Sequence, residues 1–349
     1  MLSEEQLSEI REHLERAQNP VFFFDNDVDG LISFVLLRRF IGRGKGVAIK
    51  SFPELDENYL RKVEEFNADY VFVLDKPGVS KGFVDELNKR NTPIVWIDHH
   101  DVDIGDLEDK VSYFNPVYSK EKSGEPVSYL CQKICNRKDD LWLALVGCIY
   151  DNFIPEFFNE VLKECSELFK GKPKSAFDVF YESDFGKLVM LLDFGLKDRT
   201  TNVVSMINFL IKVKSPFELL KENDSNFKIY RRYQQIKAVY DKLITKARKV
   251  ARECKNVVFF QYGGDLSLSS NIANELFYRF PGKIIIVAFI KGAIANVSVR
   301  GSVDVRDLTV RAIEKIGNAT GGGHKHATGA KIMVEDLEEF KNFFEENVI

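Results

Sequence analysis

The sequence is poor in the features that mark secreted and membrane proteins. Its five cysteines are scattered and form no Cys-x-x-Cys pair. Such a set argues against a disulfide framework and for a reducing compartment, so we expect a cytoplasmic protein. No apolar run reaches the ~18 residues that a transmembrane helix needs. The N-terminal stretch has the pattern of an acidic amphipathic helix instead of a signal peptide. We therefore expect no membrane association.

An excess of positive charge is also missing, because 49 basic residues face 53 acidic ones and the net charge is −4. The chain as a whole therefore lacks the charge of a nucleic-acid-binding protein, and any such binding must depend on local charge. Histidine is scarce as well, but four of the five stand in two pairs, His99 with His100 and His324 with His326. Two histidine-bearing sites, far apart in the sequence, are expected.

Length and hydrophobic pattern predict an α/β protein with more than one domain. In residues 1–160 short apolar runs alternate with helical patterns, which indicates a parallel sheet covered on both faces. Residues 161–253 are mostly helical and form a connector that ends in a long helix at 227–253. Strand and helix patterns return in residues 254–349, which we assign to a second, smaller α/β domain.

Three apolar strands of the first domain end in aspartate. Asp25 follows VFFF, Asp75 follows VFVL and Asp98 follows IVWI. Because open α/β sheets place their ligands at the carboxyl ends of strands, we expect these acids to meet at one edge. The full set expected to converge is Asp25, Asp27, Asp29, Asp75, Asp98, His99, His100 and Asp151. Any one of these acids alone is as well explained by a helix cap or a turn.

The chemistry of this set points to metal ions. Like charges packed at one sheet edge are unstable unless cations neutralise them. Carboxylate oxygens with an imidazole suit Mn²⁺ or Mg²⁺, whereas a structural zinc site would prefer thiolates. Six carboxylates are too many for one ion and suit two ions ~3.5–4 Å apart, the arrangement used for displacement at phosphorus.

A second cluster lies in the segment GGGHKH near the C-terminus. A glycine run lets backbone N–H groups approach a phosphate, although a flexible hairpin loop would also explain it. Arg300, in the preceding strand, can grip a phosphate with its planar fork of donors. The expected binding residues here are Arg300, Ser302, Gly322, Gly323 and His324. The basic face of the helix at 227–253 is either solvated or a track for a nucleic-acid backbone.

In this order, DNDVDG, Asp75, DHH and Asp151 resemble the four motifs of the DHH phosphoesterase superfamily. SVR followed by GGGHKHATGA resembles the C-terminal domain that accompanies it. Within the superfamily the sequence is most similar to the RecJ-like branch, particularly the archaeal RecJ-like single-strand exonucleases. The resemblance implies an N-terminal DHH domain with a parallel-sheet core, a helical connector, a smaller C-terminal α/β domain, and an active site in the cleft between the domains.

The resemblance also implies roles for the converging residues. Two Mn²⁺ ions, with Mg²⁺ as the alternative, would be bound by Asp27, Asp29, Asp75, His99 and Asp151, and Asp75 would bridge the ions. Asp25 would be a further ligand or lie just behind the ligands. Asp98 would orient the metal-bound imidazole, and His100 would contact the scissile phosphate or assist the leaving group. The implied catalytic residues are Asp75, Asp98, His99 and His100.

Two positions depart from the pattern of the family. Phe23 stands where many relatives carry a metal-binding histidine, which implies weaker binding of one ion. Lys76 and Pro77 follow Asp75, where relatives usually have a glycine soon after the aspartate. Lys76 could replace a charge contact or could damp activity. Neither departure removes an acid, so the sequence predicts an active member of the family.

Three functions follow from the resemblance. The first is a metal-dependent exonuclease that hydrolyses single-stranded DNA, with RNA as an open alternative, to nucleoside monophosphates. The second is a phosphodiesterase for short oligoribonucleotides or cyclic dinucleotides. The third is not enzymatic: a component of a replication helicase that binds the GINS complex or other replication and repair proteins.

Overall fold

The computed structural model describes residues 1–50, 54–119 and 122–347. It divides into two compact units, Met1–Tyr233 and Gln234–Ile349, called here the N-terminal and C-terminal units. Among the helices of the described ranges, none is both long enough and apolar enough to cross a bilayer.

The N-terminal unit is built on a five-stranded parallel sheet with the strand order β2-β1-β3-β4-β5. The strands are β1 Pro20–Asp25, β2 Lys45–Ile49, β3 Tyr70–Leu74, β4 Ile94–Ile97 and β5 Ser112–Phe114. β1, β3 and β4 confirm the three apolar strands predicted above. The run GVAIKSF also predicts a strand, which β2 confirms, although its last residues, Ser51 and Phe52, lie outside the described residues. β5 was not predicted, because three residues with no apolar run leave no periodic signal.

Helices cover both faces of this sheet, as predicted for a parallel sheet. Because successive side chains of β1 point to opposite faces of the sheet, Phe22 and Phe24 pack in the apolar core on one face and Phe23 packs in the core on the other face. The α-helices are α1 Glu4–Arg16, α2 Val28–Ile41, α3 Leu60–Glu65, α4 Lys81–Lys89, α5 Val127–Cys135, α6 Leu141–Tyr150, α7 Phe158–Glu164, α8 Ala176–Glu182, α9 Phe185–Leu196, α10 Thr200–Leu210 and α11 Pro216–Leu220. The division between the two units falls within α12, Phe227–Glu253, whose bounds match the predicted long helix.

The C-terminal unit contains a second five-stranded sheet, of order β6-β7-β8-β10-β9, in which only β6 and β7 are parallel. Helices α14 and α15 cover one face through an apolar core, and α13 lies over part of the other. The elements are β6 Val257–Gly263, α13 Ser269–Arg279, β7 Ile284–Lys291, β8 Ile294–Arg300, α14 Val305–Ile316, β9 Thr320–His324, β10 Ala327–Met333 and α15 Leu337–Asn347. This mixed α/β architecture confirms the predicted second, smaller sheet domain.

One expectation about this unit was wrong. The segment GNATGGGHKHATG has the sequence pattern of a loop, but within it Thr320–His324 is the edge strand β9, paired with β10. Glycine is required there by close backbone approach. A Cβ at Gly321 would lie 2.6 Å from the carbonyl oxygen of Gly329, and one at Gly323 would lie 2.6 Å from that of Ala327. Gly323 also has a φ of +134°, which side chains rarely tolerate.

Candidate metal centre and phosphate-binding surface

The predicted acids meet at the carboxyl edge of the parallel sheet. Asp25 is the last residue of β1, and Asp75 and Asp98 directly follow the neighbouring strands β3 and β4. Their backbones continue the ladder, since Asp75 N donates to Ile97 O at 2.9 Å and Asp98 N donates to Phe114 O at 3.0 Å. All three carboxylates are buried.

Asp75 is held in an unusual backbone conformation. Its φ is +56°, in the left-handed region that few residues other than glycine, asparagine and aspartate adopt. Its atom Oδ1 lies 3.3 Å from His99 Nε2, and the same nitrogen lies 3.4 Å from Asp151 Oδ2. Within the described residues Asp75 Oδ1 is buried and accepts no hydrogen bond. Ligand-type atoms of Asp75, His99 and Asp151 therefore face one another, as expected around an ion.

Asp151 comes from a helix and not from a strand. The apolar run before it forms α6, and Asp151 is the residue that ends this helix. The carboxyl end of a helix carries a partial negative charge, so a carboxylate there is disfavoured unless a cation is near. Ligand atoms of Asp29, His99 and Asp151 all lie within 4.8 Å of one another. The location of Asp151 thus adds a physical reason for a cation at this point.

The turn DNDVDG serves the fold as well as the site. Asp27 is the N-cap of α2 and accepts a hydrogen bond from Gly30 N at 2.9 Å, so the cap reading of this residue is confirmed. A Cβ at Gly30 would lie 2.5 Å from the carbonyl oxygen of Asp25. Glycine at this position therefore lets α2 begin directly against the end of β1.

Asp29 is completely buried and binds another helix. Its Oδ2 accepts from Val127 N at 2.7 Å and its Oδ1 from Ser128 N at 2.9 Å. These are the first two residues of α5, whose own N-cap, Pro126, has no capping side chain. Asp29 therefore takes the place of the missing cap from almost a hundred residues away. No local pattern in the sequence could reveal this pairing.

The DHH segment positions His100 through a buried carboxylate. His100 Nδ1 lies 2.7 Å from Asp98 Oδ1, so Asp98 orients the imidazole of His100. Burial disfavours the charged imidazole, but Asp98, together with Asp151 and Asp25, opposes this effect, and the pKa of His100 is raised. Asn115, which the sequence did not point to, donates from Nδ2 to His100 O at 2.8 Å and to the Tyr113 hydroxyl at 2.7 Å. It directly follows the unpredicted strand β5.

The electrostatics of the cluster favour cation binding. Burial and the neighbouring carboxylates raise the pKa of Asp27 and of Asp75 well above the usual range. Burial, followed by the charge of Asp29, raises the pKa of Asp151 to about 6. The donor set is rich in oxygen with a few imidazole nitrogens, and ligand atoms of Asp75, Asp98 and His100 form a second close group. The residues fit divalent ions that prefer oxygen ligands, such as Mn²⁺ or Mg²⁺.

We expect the metal-free protein to lose stability as the pH rises through about 6. In an unfolded chain an aspartate titrates near ~3.9, whereas the folded-state pKa of Asp151 is about 6. The folded protein therefore binds more protons between these values, so stability is gained as the pH falls and lost as it rises. The raised pKa of His100 acts in the same direction. Urea unfolding in chelator across this range measures the effect.

Saturating Mn²⁺ should flatten this pH dependence, because the ions then neutralise the carboxylates in place of protons. Metal-free protein that becomes steadily more stable between about pH 5 and about pH 7 would contradict the expectation.

Phe23 and Lys76, the two departures from the family pattern, are both buried. The Phe23 ring packs edge-on against Tyr59 and Phe83, with ring centroids 5.9 and 5.8 Å apart. Lys76 Nζ donates to the carbonyl oxygen of Lys50 at 2.8 Å. Burial lowers the pKa of Lys76, while Asp25 and other acids oppose that shift. Phe23 is thus a core residue, and Lys76 is a buried amine beside the cluster.

Replacing Phe23 with His is expected to lower the free energy of unfolding by about 1–3 kcal/mol, because a polar ring would enter an apolar core without a partner. Phe23→Leu, which stays apolar, should cost less. Urea unfolding with and without Mn²⁺ measures both variants. If Mn²⁺ restored the stability of Phe23→His alone, the ring would reach an ion, and the assignment of position 23 to the core would be wrong.

The predicted phosphate-binding residues share one corner of the C-terminal unit. Arg300 and His324 both lie opposite Ala327 in the strand register, so the three side chains form a row on one face of the sheet. The next row holds Ser298, Gly329 and Gly322. A Cβ at Gly322 would meet nothing within 4 Å, so the space over the sheet beside Arg300 is open.

Hydrogen bonds hold the Arg300 side chain and the loops around this corner in place. Arg300 Nε donates to Asn274 Oδ1 of α13 at 2.6 Å, and Nη1 donates to Thr328 O at 3.2 Å. The turn after His324 is tied to the loop that contains Ser302, since Val305 N donates to Lys325 O at 2.8 Å. Ser302, Gly323 and His324 are exposed, and Gly322 is partly exposed. The structure therefore brings all five predicted residues of this unit into one open, polar corner.

Comparisons with known proteins agree with this architecture. Residues 254–349 match the family model of the DHHA1 domain. A DHH-domain structure, described as that of a member of a family of ribosomal proteins, has 17% identity and a TM-score of 0.69, over 99% of this chain and 89% of that one. Exonuclease RecJ bound to manganese has 15% identity and a TM-score of 0.64, over 98% and 93%. CDC45 from Entamoeba histolytica has 11% identity and a TM-score of 0.52, over 98% of each chain. No curated protein matches the chain.

The chain therefore shares its fold with the DHH-domain structure and with RecJ, and its residues 254–349 match the DHHA1 domain.

Proposed function

We propose that the protein is a metal-dependent phosphodiesterase that hydrolyses single-stranded nucleic acid, DNA or RNA, to nucleoside monophosphates. The observation that carries this proposal is the meeting of Asp75, His99 and Asp151 around a point where Asp75 Oδ1 accepts no hydrogen bond within the described residues. Such a set of oxygens with an imidazole suits the ions that act on phosphate esters.

We propose a role for each residue of the candidate metal centre in the N-terminal unit. Asp27, Asp29, Asp75, His99 and Asp151 hold two Mn²⁺ or Mg²⁺ ions, with Asp25 adjacent. When bound, the ions supply a nucleophilic water and stabilise charge on the phosphoryl oxygens. Asp98 holds the imidazole of His100 through Nδ1, and His100 donates a hydrogen bond or a proton to the phosphate or to the leaving oxygen.

The C-terminal unit is proposed to hold the substrate. Arg300 offers fixed donors, because Asn274 and Thr328 restrict its side chain. His324 and the open backbone around Gly322 and Gly323 supply further donors for a phosphate group, and the exposed Ser302 hydroxyl adds another. We accordingly propose residues 1–160 as the catalytic domain, 161–253 as a connector and 254–349 as the substrate-binding domain. The five free cysteines support a reducing, cytoplasmic compartment.

The test is digestion of 5′- and 3′-labelled single-stranded DNA and RNA with Mn²⁺, over a length series from dinucleotides to 30-mers. Release of mononucleotides from long strands would support the exonuclease. Activity confined to the shortest oligonucleotides or to cyclic dinucleotides would support the alternative phosphodiesterase. No metal-dependent hydrolysis of any of these would overturn both proposals.

A replication role, with the GINS complex as partner, is a second proposal. Its support is the shared fold with CDC45 and the family resemblance. Co-purification of GINS with the full chain would support it. This role does not exclude hydrolysis, since the acidic set is complete.

A further inference from the structure

The longest helix carries a concentration of positive charge that the rest of the chain does not share. Between Phe227 and Glu253 there are nine basic residues and two acidic ones, although the whole chain has a net charge of −4. One of the two acids, Asp241, is engaged by Lys237 in an ion pair. The positive charge of α12 is therefore a local feature.

Part of this charge forms a continuous exposed row in the C-terminal unit. Lys242, Lys246, Lys249 and Arg252 are all exposed and are called here the cationic face. Their spacing of four, three and three residues places them on one side of a helix, with neighbouring Cβ atoms ~5–6 Å apart. Within the part of the chain that the structure describes, no ion pair joins any of the four to an acid.

Helix α12 packs against the rest of the C-terminal unit through the side opposite the cationic face. The residues that it buries in the C-terminal unit are Ile236, Tyr240, Ile244, Ala247 and Ala251. The helix is anchored there by Tyr240 and Arg248, which both hydrogen-bond to the buried Glu275. The cationic face is therefore not needed to attach the helix.

Helix stability does not account for the row either. Lysines four residues apart repel each other. Basic residues stabilise a helix terminus only within its last turn, which covers Arg252 but leaves out Lys242 and Lys246. A polyanion with regularly spaced charges would neutralise this row of mutually repelling, exposed cations. The phosphates of an extended single strand provide such charges.

We propose that the cationic face of α12 binds the phosphate backbone of a single-stranded nucleic acid, on a segment of the substrate beyond the nucleotides being hydrolysed. The inference rests on the proposed function and adds a binding surface to it. Binding through phosphates predicts no preference between DNA and RNA and a marked dependence on salt.

The test compares two triple variants that have the same net charge. Lys242→Gln/Lys246→Gln/Lys249→Gln removes three charges from the cationic face and keeps good helix formers. Lys291→Gln/Arg311→Gln/Lys315→Gln removes three exposed charges elsewhere in the same unit. Fluorescence anisotropy with labelled 30-mer DNA and RNA in chelator gives affinity as a function of salt. Each phosphate contact on a single strand contributes about 0.7 to the slope, so the first variant should lose about 2 and the second should lose none.

A dinucleotide has one phosphodiester, the one that is cleaved, and leaves no further phosphate for the cationic face, so its hydrolysis should be unchanged in both variants. Equal salt slopes for the two variants and for the wild type would overturn the inference while leaving the proposed function intact. Loss of slope with DNA but not with RNA would overturn binding through phosphates. A wild-type protein that neither binds nor cleaves any strand would instead refute the proposed function.

Discussion

Replacing Asp75 with Asn is expected to lower the rate of metal-dependent hydrolysis by about 10³-fold or more, because a bound metal ion supplies several kcal/mol of transition-state stabilisation. The Asp75 carboxylate lies within 3.3 Å of His99 Nε2, and it is one of the acids that we propose would hold the ions. An amide keeps one oxygen but not the charge. Calorimetric titration with Mn²⁺ should show weaker binding or one fewer ion.

Asparagine is the substitution of choice because of the backbone. The φ of +56° at this position is tolerated by asparagine and would strain most other residues, so the variant isolates the loss of charge. In the metal-free protein Asp75→Asn should be at least as stable as the wild type, since burial and four neighbouring carboxylates make its charged form unfavourable. Unchanged hydrolysis would show that the Asp75 carboxylate is not needed for the chemistry. A clear loss of metal-free stability would show that it supports the fold.

The main features of the fold and site could be predicted from sequence because their signals are local. Near-continuous apolar runs identify the buried strands β1, β3 and β4, and each ends in an acid that the parallel topology must bring to one edge. The bounds of α12 follow from its helical period, which persists over 27 residues. These elements satisfy propensity, pattern and burial at once.

What could not be predicted depends on contacts between distant segments. Strand β5 is only three residues long and pairs with β4 through positions that carry no periodic pattern. The glycine run reads as a loop, but β10 makes it a strand by pairing with it. Asn115 has an important position only because β5 places it beside His100. In each case the deciding partner lies outside the segment itself.

Asp29→Asn is expected to reduce the free energy of unfolding by about 2–4 kcal/mol, because each hydrogen bond to a charged group contributes ~1.5–3 kcal/mol. Both carboxylate oxygens accept from backbone N–H groups at the start of α5. An amide can present one oxygen, but its NH₂ group would face the other N–H as a second donor. The variant also loses the favourable interaction of a negative charge with the helix N-terminus. Urea unfolding of the metal-free protein measures the change.

Asp27→Asn is the matched control, two residues away in the same motif. Asparagine caps a helix as well as aspartate does, and Asp27 makes a single capping bond to Gly30. Its pKa is raised by burial and by Asp25, so removal of the charge should relieve repulsion. We therefore expect Asp27→Asn to retain its metal-free stability while losing affinity for Mn²⁺. Equal stability of the two variants would mean that Asp29 is not the cap of α5.

The contrast between the two variants bears on how the site is assembled. A Cβ at Gly147, in α6, would lie 2.3 Å from Ser128 Oγ and 3.3 Å from Asp29 Oδ1. The start of α5, Asp29 and the body of α6 therefore pack in direct contact, and α6 ends at Asp151. Asp29 thus sets the position of a helix that packs against the one carrying another acid of the cluster. Loss of activity in Asp29→Asn would reflect a displaced Asp151 as well as a missing carboxylate, so stability and Mn²⁺ binding must be measured together to separate the two roles.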